Sequence, residues 1–104
     1  MSTDKTFKIE PLNDELIEAI DVEIWSPEQP KWFIDWFSNK SDAESVLNLD
    51  EIDWVLKECE KSLNYSKKLM DENNNEETKQ DFNHTLENTN LIKNFFKNII
   101  QNQN

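Results

Sequence analysis

The residue types that most often carry catalysis are scarce in this chain. Among its 104 residues there is one histidine, His84, and one cysteine, Cys59. Asp81 and Glu87 lie one helical turn to either side of His84, a spacing that places carboxylates and an imidazole on one helix face. A dinuclear metal site in a helical bundle requires two Glu-x-x-His motifs, and a second histidine is absent. We therefore expect His84 to face solvent and expect no metal site.

Cys59 continues a stripe of apolar residues at helical spacing that includes Leu56 and Leu63. A cysteine on such a stripe behaves as a small hydrophobic residue, so we expect Cys59 to be buried and unreactive. The acidic run 50–53 lacks the glycine that a calcium-binding loop requires, and acids at the start of a helix are stabilised by its dipole. These residues predict packing and helix capping rather than chemistry.

Glycine and arginine are both absent from the sequence, and its basic residues are all lysine. Glycine-rich phosphate loops and dinucleotide-binding fingerprints are thereby excluded, as are arginine clamps on carboxylate or phosphate. We predict a protein that is not an enzyme, with no catalytic residue and no cofactor.

The negative charge is confined to one part of the chain. Residues 1–60 contain 16 acidic residues and 5 lysines, a net charge of −11, whereas residues 61–104 contain 6 of each and are neutral. All four tryptophans lie in the acidic part. Like charge opposes direct binding to nucleic acid, and a strongly negative protein is steered toward basic surfaces. This distribution indicates a partner protein with a basic surface.

The segment 32–37 is the most apolar stretch of the chain. Five of its six residues are large and apolar, and only Asp35 is not. On a helix they cover nearly the whole circumference, more than one buried face requires. The segment is either buried on several sides or partly exposed as a binding hot spot, and the sequence leaves both alternatives open. A membrane-surface role is disfavoured because only Lys31 adjoins this segment within an acidic region.

The elements that position these residues begin with a polar arm over 1–11. Phe7 and Ile9 alternate with polar residues there, so a short strand is an alternative. Asn13 is a suitable cap for a first helix over 14–24, although alternation over 20–24 makes a strand a competitor. Ser26 as N-cap, followed by a proline, predicts the start of a second helix that ends near residues 38–40.

A second capping box, Ser41 with Glu44, predicts a short helical turn through Val46 and Leu47. Two long helices are then predicted over 49–72 and 76–101, because apolar residues recur at three- and four-residue spacing. Three asparagines at 73–75 separate them. A connection this short predicts an antiparallel helical hairpin.

We therefore predict an all-α fold: a small helical bundle built on a C-terminal antiparallel two-helix hairpin, with shorter N-terminal helices. Residues 1–104 form one helical domain in this scheme. It comprises the polar arm 1–11, acidic tryptophan-rich short helices over 12–47, the hairpin 48–101 and a frayed tail 102–104. No signal peptide or bilayer-spanning apolar run is evident, which predicts a cytoplasmic protein of a bacterial cell or a phage-infected host.

The predicted function is inhibition or neutralisation of a partner with a basic, nucleic-acid-binding surface, such as a nuclease or toxin. The protein would act as a nucleic-acid mimic, as phage anti-defence inhibitors and toxin-immunity proteins do. Direct nucleic-acid and membrane binding are not expected, and a homodimer is left open. The alternative is a non-catalytic structural or adaptor subunit that self-associates or joins a larger complex through its helices. The predicted partner-binding residues are Trp25, Trp32, Asp35, Trp36, Asp42, Glu44, Asp50, Glu51 and Asp53.

Overall fold

A computed structural model describes residues 5–39 and 44–103 of the chain. These residues form four helices and a two-stranded sheet, so the predicted helical bundle is confirmed with a small sheet added. The elements in chain order are β1 (Thr6–Ile9), α1 (Asp14–Glu23), α2 (Lys31–Ser38), β2 (Ser45–Asn48), α3 (Leu49–Glu72) and α4 (Glu76–Gln103).

The two long helices form the predicted hairpin. At about 1.5 Å per residue, the 24 residues of α3 and the 28 residues of α4 span about 36 and 42 Å. The Asn73 backbone N–H donates to the Leu69 carbonyl and closes α3. The Asn75 side-chain oxygen accepts a 3.0 Å hydrogen bond from the Thr78 backbone N–H and caps the start of α4. The asparagine break therefore falls where the sequence predicts it.

Helix α1 is confirmed, and the strand considered for residues 20–24 is wrong. The Asn13 side-chain oxygen accepts from the Leu16 backbone N–H at 2.9 Å, as an N-cap does. Ile20, Glu23 and Ile24 are all buried, at helical rather than alternating spacing. This buried face packs against α3 and α4, and that packing decides between helix and strand.

Helix α2 begins later than predicted. The Ser26 hydroxyl accepts from the Glu28 backbone N–H in a bend, and the helix starts at Lys31 with Pro30 as its N-cap. The predicted cap at Ser26 is therefore wrong. A proline disfavours helical backbone in the residue before it, so Pro30 prevents a helix from running through Gln29.

The predicted helical turn through Val46 and Leu47 is also wrong, because both residues lie in β2. This strand pairs antiparallel with β1, with Phe7 opposite Leu47, and both of these side chains are buried. Ser41, the predicted cap of that turn, lies outside the described residues. The short strand proposed as an alternative for Phe7 and Ile9 is confirmed.

The C-terminal tail is ordered further than predicted, since α4 runs to Gln103 rather than ending at residue 101. The Gln103 side-chain amide donates to the Lys8 carbonyl and accepts from the Lys8 backbone N–H, both at 2.8 Å. Gln103 thus satisfies backbone groups at the edge of β1. The predicted fraying does not apply to residues 102 and 103, and residue 104 lies outside the described part.

One apolar core joins all six elements. Phe33 from α2 and Phe96 from α4 are its largest fully buried side chains. The buried hydrophobic set is Phe7, Ile9, Leu12, Leu16, Ala19, Ile20, Ile24, Phe33, Trp36, Leu47, Ile52, Val55, Cys59, Ile92 and Phe96. Cys59 is fully buried, as predicted.

We expect burial to make the Cys59 thiol unreactive. Desolvation, reinforced by the nearby Glu23 carboxylate, raises the pKa of the thiol to about 12. At pH 8 the folded protein should then react with a thiol reagent about a thousandfold more slowly than an exposed cysteine, because only the thiolate is nucleophilic. A thiol-labelling time course with and without denaturant checks this. Fast labelling of the native protein would show that Cys59 is reachable.

Candidate binding surface

Two of the predicted tryptophan anchors belong largely to the core. Trp36 is buried, and its indole N–H donates a 2.8 Å hydrogen bond to the Ser45 hydroxyl. Trp32 is half-buried and meets Trp54 edge to face, with ring centroids 5.6 Å apart. The segment 32–37 is therefore divided: Phe33 and Trp36 are buried in the core, whereas Ile34 is 49% exposed. Trp36 leaves little of its surface accessible to a partner.

Trp25, in contrast, is 58% exposed and held in place. Its ring meets Tyr65 edge to face at 5.9 Å, and its indole N–H lies 3.4 Å from the Ser62 hydroxyl oxygen. Tyr65 is itself 52% exposed. An ordered and exposed aromatic pair is typical of a binding surface, because large rigid rings lose little entropy when a partner covers them.

The predicted acidic residues are scattered rather than gathered around Trp25. Asp50 and Asp53 are exposed at the start of α3. Trp25 contacts α3 at Ser62, nine residues beyond Asp53 and about 13 Å further along the helix. The structure therefore places Trp25 and these two acids in separate regions.

The remaining predicted acids differ in their exposure and contacts. Asp35 and Glu44 are exposed. Glu51 is half-buried, and its carboxylate accepts a 2.8 Å hydrogen bond from the Asn48 backbone N–H in the capping box of α3. Asp42 lies outside the described residues. Asp53 forms a 2.9 Å ion pair with Lys57, which offsets part of its charge.

Helix α1 carries an acidic surface that was not among the predicted binding residues. Helix α1 exposes Asp14, Glu15, Glu18 and Asp21, which we call the acidic α1 face. No lysine occurs between residues 9 and 30, and none of these four acids forms an ion pair with a described residue. The signal was available in the sequence, because residues 14, 18 and 21 recur on successive turns of one helix face.

The C-terminal end of α1 is acidic in a position that opposes helix stability. Asp21 and Glu23 lie in its last turn, where there is no basic residue. The helix dipole places partial negative charge at this end, so carboxylates here are unfavourable, whereas Asp14 and Glu15 at the other end are favourable. The acids at this end therefore do not serve to stabilise the helix.

A pocket of about 320 Å³ opens beside this helix end, between α1, α3 and α4. We call it the Trp25 pocket. Its lining includes the Trp25 and Tyr65 rings, two carboxylates and His84, and no lysine of the described residues lines it. His84 is exposed, as predicted. Within residues 5–39 and 44–103, no three histidine, cysteine or acidic side chains are grouped so that they could hold a metal ion.

Glu23 is the unusual member of the pocket lining, because it is only 2% exposed. Its carboxylate accepts a 2.7 Å hydrogen bond from the Ser62 hydroxyl and a 2.8 Å hydrogen bond from the Asn88 amide. These bonds tie α1 to α3 and α4. No lysine of the described ranges forms an ion pair with Glu23.

Comparison with protein-family models, with curated proteins and with solved structures finds no match to this chain. Among the described residues, no helix has a stretch that is both long and apolar enough to cross a lipid bilayer.

Proposed function

We propose that this protein binds, and thereby inhibits, a partner protein whose basic surface normally binds nucleic acid. The observation that carries the proposal is the acidic α1 face, which presents exposed carboxylates without ion-pair partners among the described residues. Structural ion pairing does not account for these acids, and those in the last turn of α1 act against helix stability. A basic partner would place positive charge beside the unpaired carboxylates and beside the acids at the C-terminal end of α1, and both effects would favour binding.

The spacing of these charges supports mimicry of a nucleic-acid strand. Asp14 and Asp21 are seven residues apart, about 10 Å along the axis of α1. Four carboxylates within this length give roughly one negative charge per 3 Å of helix axis, close to the ~3.4 Å of duplex axis per phosphate of one DNA strand. A surface that binds phosphates would therefore meet a similar linear charge density on α1.

The proposal is tested by capture and competition. The tagged protein is incubated with lysate of its native host and washed at low and at high salt, and the retained protein is identified and purified. We expect a basic nucleic-acid-binding protein that dissociates at high salt, because screening weakens contacts between exposed charges. The purified partner should then bind either a nucleic-acid oligomer or this protein, but not both. Simultaneous binding of the two would contradict the mimicry.

A second candidate function is supported by a different region. Leu56 and Ile100 line a groove of about 540 Å³ between α3 and α4, and Leu49, which is 52% exposed, lies in an adjoining groove. Leu56 and Ile100 are half-buried, and partly exposed apolar side chains favour a structural subunit that self-associates or joins a complex through the hairpin. That function predicts an oligomer whose mass, measured by light scattering, is unchanged at high salt, because apolar burial is little affected by screening.

A further inference from the structure

The Trp25 pocket adjoins the acidic α1 face but has a chemistry of its own. We propose that it is a binding site for one cationic side chain, a lysine or arginine, presented by the partner protein. The identity of the partner rests on the proposed function, but the chemistry of the pocket does not. Three features carry the inference: a buried carboxylate without an ion-pair partner among the described residues, an ordered aromatic wall, and a lining with two carboxylates and no described lysine.

The buried charge of Glu23 is not required by its hydrogen bonds. A glutamine would fill the same space and could exchange hydrogen bonds with the Ser62 hydroxyl and the Asn88 amide. Burying a carboxylate away from a cation is costly, even when the group is hydrogen-bonded. Such a carboxylate has about four acceptor positions, and two are occupied by Ser62 and Asn88. A cationic side chain from a partner protein would account for the negative charge of Glu23 and for its unused acceptor positions.

The aromatic wall supplies the second half of a cation site. Trp25 and Tyr65 line the pocket together with Glu23, and the Ser62 hydroxyl connects the Trp25 indole to the Glu23 carboxylate. Cations are attracted to the faces of tryptophan and tyrosine rings, and the alkyl stems of lysine and arginine pack on the same rings. The rings are held by the edge contact and the Ser62 hydrogen bond before any ligand binds.

The charge and size of the pocket favour a side chain over other cations. Glu23 and Asp81 both line the pocket, so its lining carries two carboxylates and no lysine of the described residues. Its volume of about 320 Å³ is at the small end for ligand sites, which suits one side chain. A divalent metal ion requires several converging oxygen ligands, and the described residues provide no such group.

The test uses a small probe and requires no partner. Acetyl-lysine-methylamide, with a free side-chain ammonium, is titrated into the full chain while the indole ¹⁵N–¹H signal of Trp25 is followed by NMR. We expect a saturable shift with a Kd of about 1–10 mM, as for a ligand of this size. The arginine analogue should bind within a few-fold, and the norleucine analogue, which lacks the charge, should not saturate. Equal binding of the norleucine analogue would overturn the inference.

Matched variants locate the site. Glu23→Gln keeps the shape: its carbonyl oxygen can still accept from the Asn88 amide, and its NH₂ can donate to the Ser62 hydroxyl oxygen in place of the bond that the carboxylate accepted. The substitution should weaken lysine binding about tenfold, as expected for loss of a charge-assisted contact. Glu60→Gln removes an exposed carboxylate of α3 that does not line the pocket, and it should leave the Kd unchanged. Tyr65→Leu should weaken binding about threefold, whereas Tyr65→Phe should retain it. Thermal unfolding of each variant verifies that the fold is intact. A folded Glu23→Gln protein with wild-type affinity would show that the charge is not used.

Failure of this inference can be distinguished from failure of the proposed function. If the probe does not bind but a basic partner is captured, the pocket has no such role and the acidic surface remains sufficient. If the probe binds as expected but no basic partner is found, the cation site stands and the proposed inhibition is wrong.

Discussion

Replacing Phe96 with alanine is expected to lower the free energy of unfolding by about 3–5 kcal/mol. Phe96 is fully buried, and its ring lies 6.3 Å from that of Trp36 and 5.2 Å from that of Phe95. The substitution leaves a cavity where α4 meets the aromatic residues of α2. Domains are stable by only about 5–15 kcal/mol, so this loss removes a large part of the total.

Denaturant unfolding followed by circular dichroism measures this change. Phe95→Ala is the matched control, because it removes the same ring from a neighbouring, half-buried position. We expect it to cost about half as much, since less apolar surface is lost from the core. Equal costs at the two positions would mean that α4 does not present Phe96 to the core as described.

Reversal of three charges on the acidic α1 face is expected to slow partner binding about a hundredfold at low salt. The variant combines Asp14→Lys, Glu18→Lys and Asp21→Lys, all at exposed positions. Electrostatic steering raises association rates by factors of ten to a thousand, and reversal of the charge on α1 would abolish the attraction to a basic partner. The lysine at residue 14 disfavours the helix while the lysine at residue 21 favours it, so α1 should remain folded.

The association rate constant is measured by stopped-flow mixing with the purified partner over a salt series. The control variant combines Asp71→Lys, Glu72→Lys and Glu87→Lys, exposed positions in the charge-neutral part of the chain, and changes the net charge by the same amount. We expect its rate to fall much less, and the difference between the two variants to shrink as salt increases. Identical rates for the two variants would show that only net charge matters, not the α1 face.

The sequence was sufficient for the features that depend on local spacing. The hairpin follows from apolar residues at three- and four-residue intervals and from three consecutive asparagines, and the structure ends α3 at Glu72 and begins α4 at Glu76. Burial of Cys59 follows from the same stripe. The late start of α2 was also accessible, because Pro30 restricts Gln29 whatever the rest of the fold does.

Contacts between residues far apart in the sequence could not be predicted from local sequence patterns. Strands β1 and β2 pair residues 6–9 with residues 45–48, and nothing in the sequence near Leu47 indicates that Phe7 will lie opposite it in the sheet. The helical turn predicted there was therefore wrong. The order of residues 102 and 103 likewise depends on hydrogen bonds between Gln103 and Lys8, at opposite ends of the chain.

The tryptophans show the same division between sequence and structure. The sequence by itself determined that the chain is helical, that its first 60 residues carry the whole net charge, and that all four tryptophans lie among them. Only the tertiary structure decided that Trp36 is buried and Trp25 exposed, and that Glu23 lies buried beside Trp25 without a lysine of the described residues paired to it. The physical reason is that helix periodicity and charge are properties of neighbouring residues, whereas burial depends on which distant elements cover a side chain.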